Sequence, residues 1–306
     1  MQVQYYGHLS GFRQWDQKLH ASDWMLFPEN IGPHLSMDET SLSQGELYTI
    51  VTNKEAKGKK GAIVAMVKGT VSKTVTSILH KIPEIIRNQV EEITIDLAAT
   101  MELIAKRSFP KATIVSDRFH VQKLASDAVQ ELRIKYRWDA IDLENAEREL
   151  AKQTGRSFIP HILENGDSMK QLLARSRYLL FKSREKWTPT QRHRAEILFD
   201  RYPQLKVAYY LSRKLSDIFS QKTTKQIAYK KLALWYNDVE SSGFKSFNTV
   251  ANTIKNHYNH ILNYFNNRST NASAESFNAK VKALRRQFRG VRNMEFFLYR
   301  LMMIYA

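Results

Sequence analysis

The sequence predicts an α/β fold: a mixed five-stranded sheet with helices, interrupted by a large all-helical segment before the last helices of the core. Three observations carry this. Two short β-branched runs, Ile93-Thr94-Ile95 and Ala112-Thr113-Ile114-Val115, flank a helical pattern from Leu97 to Phe109 that Pro110 closes, which reads as strand, helix, parallel strand. Upstream, three further strand signals follow one another across short polar breaks. Downstream, from about Val121 to Asn267, the periodicity is helical throughout.

Residues 1–33 read as an irregular arm or linker, with Trp15 and Trp24 among polar residues and Gly32-Pro33 as turn punctuation. The core begins at residue 34. Its first strand, His34-Leu35-Ser36-Met37, runs into Asp38. The second, Leu47 to Val51, follows Gln44-Gly45, and the third spans Gly61 to Val67. The polar loop between them, with Gly58 and several lysines, suits a hairpin. From Val71 to Val90 the apolar residues fall at helical spacing, with Pro83 as a kink or break. The fourth and fifth strands are the two β-branched runs, ending in Asp96 and Asp117. Parallel units of this kind place their ligand site at the carboxyl ends of the strands, so both acids should open onto one sheet edge. An antiparallel trio followed by right-handed crossovers is the strand order of ribonuclease H-like folds.

The core's first part thus covers 34–124, and 125–268 is an all-helical insertion. Its helical patterns run from Val129 to Lys152, Met169 to Ser183, Pro189 to Asp200, Leu205 to Phe219, Ile227 to Val239 and Phe247 to Phe265. Arg175, Arg177, Lys182, Arg184, Lys186, Arg192 and Arg194 crowd its middle, while Trp187 and Trp235 are expected to pack its core. The core's C-terminal helices occupy 269–306. The first starts after Thr270-Asn271, a favourable cap pair, and carries Phe277, Val281, Leu284 and Phe288 as its apolar stripe. Glu275, Asn278, Lys282, Arg285 and Arg289 lie opposite; Gly290 ends the helix, and an apolar helix from Met294 to Tyr305 should be buried.

The formal charge of +17 on 306 residues points to a polyanionic partner, most often nucleic acid. The absence of cysteine removes disulfides, thiolate metal sites and thiol catalysis. No signal peptide is indicated at the N-terminus, and no stretch approaches the ~20 apolar residues of a membrane span, so the expected place is the cytoplasm or nucleoid.

Asp38, Asp96 and Glu275 together would suit phosphodiester chemistry, which needs divalent cations held by a few hard carboxylate oxygens. Each acid also has a plainer reading. Asp38 could be an exposed turn residue beside Glu39, Asp96 a helix N-cap, and Glu275 a solvated first-turn acid favoured by the helix dipole. Asp117 and His120 could be a cap and a packed core histidine.

The stretches SMDET, ITIDLAATM, FPKATIVSDRFHVQKLA, RSRYLLFK and TNASAESFNAKVKALRRQFRGVRNMEFF resemble the DDE transposases of bacterial insertion sequences, specifically the ISL-three family. The resemblance runs from about His34 to the C-terminus. It implies a ribonuclease H-like catalytic domain with a helical insertion before the last acid. Asp38, Asp96 and Glu275 would be the catalytic, metal-binding triad, holding two Mg²⁺ ions for which Mn²⁺ could substitute. Asp117 and His120 would be accessory active-site residues, and an alternative alignment makes Asp117 the second acid. The implied activity is DNA cleavage at element ends and strand transfer into target DNA, performed by a homodimer or larger synaptic complex. Lys282, Arg285, Arg286 and Arg289 could hold the DNA backbone, although a solvated helix face explains the same stripe. Relatives carry an N-terminal DNA-reading region, often with a cysteine zinc site, that the residues before His34 do not resemble. End recognition would then fall to a separately encoded protein, or the copy is truncated. A non-catalytic DNA-binding remnant and a nuclease that cuts without joining are the competing expectations.

Overall fold

The computed structural model describes residues 11–42, 46–288 and 293–306; Gln44-Gly45, Arg289 and Gly290 lie outside them. The chain divides into two compact units, one formed by residues 1–120 and 259–306, the other by residues 121–258.

The first unit is built on a mixed six-stranded sheet of order β1-β4-β3-β2-β5-β6. The strands are β1 (Trp24–Leu26), β2 (His34–Ser41), β3 (Leu47–Asn53), β4 (Ile63–Lys68), β5 (Glu92–Ile95) and β6 (Thr113–Ser116). The sheet therefore has one strand more than the five expected. Trp24–Leu26, within the stretch read as an irregular arm, pairs antiparallel with β4 through Trp24↔Val67, Met25↔Met66 and Leu26↔Ala65. Three residues are too few for an alternation to register as a strand; pairing partners supplied by β4 make it one. Strands β2, β3 and β4 are antiparallel neighbours, while β2–β5 and β5–β6 are parallel.

Both faces of the sheet are covered, which explains the near-continuous apolar runs in its strands. On one face Leu35, Met37, Val51, Ile93 and Ile95 meet Val75 and Leu79 of α1 (Ser72–Leu79) and Met101, Ile104 and Ala105 of α3 (Ala99–Ser108). Between these helices the short α2 (Glu84–Arg87) starts immediately after Pro83, so the proline is a break and not a kink. On the other face Met25, Ile50, Ile63 and Met66 meet the two C-terminal helices described below, through Phe277, Val281, Phe297, Leu298 and Leu301.

Helix α4 (Arg118–Gln153) begins directly after β6 and runs 36 residues, eleven positions earlier than the periodicity from Val129 suggested. Asp117 accepts a hydrogen bond from the Phe119 backbone N–H at 3.4 Å, an acid at a helix start where the dipole favours it. The remaining α-helices of the second unit are α5 (Met169–Arg175), α6 (Pro189–Arg201), α7 (Pro203–Ser220), α8 (Lys225–Ser242) and α9 (Lys245–Asn256); α10 (Tyr258–Asn267), from its second residue on, belongs to the first unit. The expected helix from Phe247 to Phe265 is thus two helices, broken where His257 leaves helical backbone angles at φ −105 and ψ 20. The pattern from Met169 to Ser183 likewise resolves into α5 and a single 3₁₀ turn at Leu179–Phe181. Trp187 and Trp235 are buried and donate their indole N–H to the carbonyls of Leu179 and Leu211 at 2.8 and 2.9 Å.

Part of the basic cluster serves this unit's interior. The carboxylate of Asp167 is fully buried and receives Arg194 at 2.9 Å together with Arg175. Burial alone pushes that carboxyl up, but the two guanidiniums outweigh it and hold it below the usual aspartate range. Asp167→Ala is therefore expected to destabilise the unit by about 2 kcal/mol, measured by urea denaturation, because it removes the buried acceptor of two charge-assisted hydrogen bonds. A depressed acid contributes stability above its unfolded pKa, so this contribution should fade as pH falls through the carboxylate range.

Candidate active site

The parallel pairing aligns the acids. In β2 and β5, Leu35 stands opposite Ile93 and Ser36 opposite Thr94. Two positions further on, the same register brings Asp38 level with Asp96. In β5 and β6, Ile95 stands opposite Ser116, and the Asp117 backbone N–H donates to the Ile95 carbonyl at 2.8 Å. Asp38, Asp96 and Asp117 thus form one row across three adjacent strands spaced ~4.8 Å apart. Since side chains alternate between faces, the row shares the face of Ile50, which is paired with Asp38 and packs against the C-terminal helices.

Helix α11 (Ala272–Gln287) crosses that face. Its apolar residues Phe277 and Val281 are buried, and Phe277 meets Tyr305 of α12 (Met294–Tyr305) edge to face at 5.1 Å. The chain beyond β3 also anchors the helix: Lys280 donates to the Gly58 carbonyl at 3.0 Å. Gly58 has φ +66, and a Cβ there would stand 3.1 Å from the Lys280 ammonium, so the turn favours glycine twice over.

Glu275, in the first turn of α11, reaches Asp117 and His120. The ligand atoms of these three residues all lie within 4.8 Å of one another. His120 Nδ1 sits 3.4 Å from Asp117 Oδ2, and the Asp117 side chain is almost wholly buried whereas that of His120 is partly exposed. Asp38 is held from two sides: its Oδ1 accepts from the Glu39 backbone N–H at 2.8 Å and its Oδ2 from the Asn278 amide at 2.7 Å. Asp96 Oδ1 accepts from the Ala98 backbone N–H at 2.9 Å. Ala98 is itself the helix-capping position, so Asp96 closes the turn before α3 without being its N-cap.

The electrostatics link all five groups. Burial pushes the Asp38 carboxyl up, and the charge of Asp96 adds to this against the opposing Glu39 and Asn278 hydrogen bonds and His120. Desolvation, then the charges of Asp117 and Asp38, push Glu275 up, with His120 opposing. His120 is raised chiefly by its bond to Asp117, against burial, with Asp96 and Asp38 contributing. Neighbouring Glu39 is raised by burial and by both aspartates.

This donor set fits a divalent cation. It is rich in hard carboxylate oxygen, Asp117 Oδ2 is buried beside His120, and the like charges are held together against their own repulsion. A cation with ~2.1 Å bonds to oxygen spaces its ligands ~3–4 Å apart, within small side-chain adjustments of the present cluster. A pH dependence follows. An acid whose folded pKa is raised contributes stability below its unfolded pKa, and that contribution is lost as pH rises through the folded value. For Asp38 the window opens above its ordinary value of 3.8. The gain in Tm on adding Mn²⁺ is expected to grow from pH 4 to pH 7, as the cation takes over from protons, and to shrink in Asp38→Asn. A gain independent of pH would contradict the arrangement.

The basic residues are placed unequally. Arg285 is 3.7 Å from Glu46 and its guanidinium lies 5.1 Å from the Phe297 ring, so it is engaged inside the protein. Lys282 is half-buried and Arg286 exposed, while Arg289 lies outside the described residues. Sequence reasoning placed Asn278 on an open polar face; it is 6% exposed, because the polar stripe of α11 packs against β2 while the apolar stripe packs on the core. The N-x₃-E-x₂-N spacing, Asn271, Glu275 and Asn278 on one helical face, was the available signal.

At this level the molecule is an α/β protein with a carboxylate- and histidine-lined site at the edge of a mixed sheet. The family model described as Transposase, that of the ISL-three group of DDE transposases, matches residues 35–301. The chain belongs to that family. It is also 24% identical over 270 residues to the transposase for insertion sequence element IS1001 of Bordetella parapertussis, a match covering 88% of this chain and 60% of that protein. The chain thus spans about three-fifths of that relative's length. No solved structure matches the chain. Among the described residues no helix is long and apolar enough to cross a membrane.

Proposed function

We propose that this chain is a DNA transposase that cleaves at insertion-sequence ends and joins the released 3′-hydroxyl to target DNA. The reading includes a ribonuclease H-like core, with the helical unit inserted before the helix bearing the last acid. The observation that carries it is the convergence of Asp38, Asp96, Asp117, His120 and Glu275, drawn from strands β2, β5 and β6 and helices α4 and α11, in one electrostatically coupled cluster.

Asp38, Asp96 and Glu275 would hold two Mg²⁺ ions, with Mn²⁺ as a substitute. Bound divalent cations supply charge neutralisation on the phosphodiester and lower the pKa of the attacking water. The chain's own contribution is positioning and proton management. Asp38 is pinned by Glu39 and Asn278, so its carboxylate presents one orientation to the open side. His120, tied to Asp117 and raised in proton affinity, can take a proton from the attacking hydroxyl or return it to the leaving oxygen. Lys282 and Arg286 continue the helix away from Glu275 and would hold the backbone of the DNA without reading its sequence. Recognition of the element ends together with a separately encoded DNA-reading protein, and synapsis by two or more copies, complete the reading.

The test is an incubation of pre-cut element ends with target plasmid and Mg²⁺ or Mn²⁺. Joined products support the proposal. Nicking without joining would make the chain a nuclease, and a mobility shift without cleavage a non-catalytic binder. In the same binding assay, duplex affinity is expected to fall by about 10³-fold or more between 50 and 200 mM salt, through counterion release at the phosphates. A flat salt response would remove DNA backbone contact from the proposal.

A further inference from the structure

Asn271, at the capping position of α11, and Asn278 within it lie on the same side as Glu275. Asn271, Glu275 and Asn278 stand at i, i+4 and i+7. Asn271 is fully buried and its amide donates to the Met37 carbonyl at 3.3 Å. Asn278, 6% exposed, donates to Asp38 Oδ2 at 2.7 Å. Consecutive residues of β2, one by its backbone and one by its side chain, are thereby gripped on either side of Glu275. The Oδ1 atoms of both asparagines are buried without a hydrogen-bond partner, which costs free energy that a merely packed position would avoid.

We infer that Asn271 and Asn278 form a clamp that sets the carboxylate of Glu275 against the row begun by Asp38, and that Asn278 is a positioning residue for divalent-cation binding at Asp38. This rests on the proposed metal-dependent reading of the site. Each oxygen of Asp38 has one lone pair occupied, by Glu39 and by Asn278, so one pair on each is left for a cation and the carboxylate plane is fixed. Without the amide the carboxylate turns about its last bond and the cation meets a mobile ligand. Hydrogen-bond partners of metal ligands act in this way, and their loss costs about 10–100-fold in metal affinity.

The experiment titrates metal-free protein with Mn²⁺, following free Mn²⁺ by electron paramagnetic resonance and the folded state by thermal denaturation. Asn278→Leu keeps the number and branching of the side-chain heavy atoms and removes the donor. The expected result is Mn²⁺ affinity reduced about 10–100-fold with the Tm of the metal-free protein close to wild type. A merely structural role predicts the reverse, a lowered Tm and unaltered Mn²⁺ affinity, and that would overturn the clamp. Should Asn278→Leu fail to fold, Asn278→Ser, which removes the amide and leaves room for water, is expected to lose at least ~10-fold in Mn²⁺ affinity. Equal affinity in Asn278→Ser overturns the inference alone. Wild-type protein that binds no Mn²⁺ overturns the clamp together with the metal-dependent reading beneath it.

Discussion

Alanine at Asp38 or at Glu275 is expected to lower strand joining by at least ~10³-fold while leaving the affinity for duplex DNA within a factor of two. Catalysis of phosphoryl transfer is mostly positioning and electrostatic stabilisation, so removing one ligand of a metal site removes the effect that lowers the barrier. Neither change should unfold the protein. Burial and Asp96 disfavour the charge of Asp38, and burial, Asp117 and Asp38 disfavour that of Glu275, and these outweigh the attraction of His120, so the metal-free fold gains nothing from either charge. Joining of pre-cut ends, scored with thermal denaturation of the same samples, checks both halves. Asp96→Ala is expected to behave as Asp38→Ala does. Retained joining in Asp96→Ala together with loss in Asp117→Ala would transfer the second acid's role to Asp117, the residue that Glu275 and His120 meet directly.

Phe277→Ala is expected to cost about 3–5 kcal/mol of stability, the range for removing a buried aromatic ring. The ring is 1% exposed and packs between Tyr305 and the sheet-side cluster of Met25, Ile50 and Met66. It lies two residues after Glu275 on α11, so the same cavity loosens the helix that presents the acid. Strand joining should therefore fall more than the loss of folded protein explains, and Phe277→Leu should recover most of both. Equilibrium denaturation in urea gives the first quantity, and joining per folded molecule gives the second. A stability loss below 1 kcal/mol would mean the C-terminal helices do not rely on this face of the sheet.

The strands that were legible beforehand are apolar runs bounded by polar turns, and all but the first, His34 to Met37, are rich in β-branched residues. The edge strand Trp24–Leu26 has only three residues, and it exists because β4 offers it a hydrogen-bonding partner. The break at His257 was illegible for a related reason, since apolar residues on both sides continue at helical spacing and a wheel does not show where the backbone turns. Among the site residues, the types were visible and their companions were not. Arg285 reads as one more exposed cation on a basic helix, yet Glu46 and the Phe297 ring hold it inside the protein. Asn278 reads as solvated, yet β2 covers it.

The sequence by itself determined the inventory: an acid in or just after each of three strands (Asp38 lies inside β2, which runs on to Ser41), a histidine three positions after the last, a glutamate at the head of an amphipathic helix, and a family membership legible in those blocks. Local periodicity and β-branching are enough for that, because they act between neighbours along the chain. Only the tertiary structure decided which of these groups share a charge environment. The in-register parallel pairing of β2, β5 and β6 put three aspartates in one row on one face, and the packing of Phe277 and Val281 turned α11 so that Glu275 and Asn278 face it. Those are contacts between residues far apart in the chain, and they depend on how whole elements bury their apolar faces rather than on any local pattern.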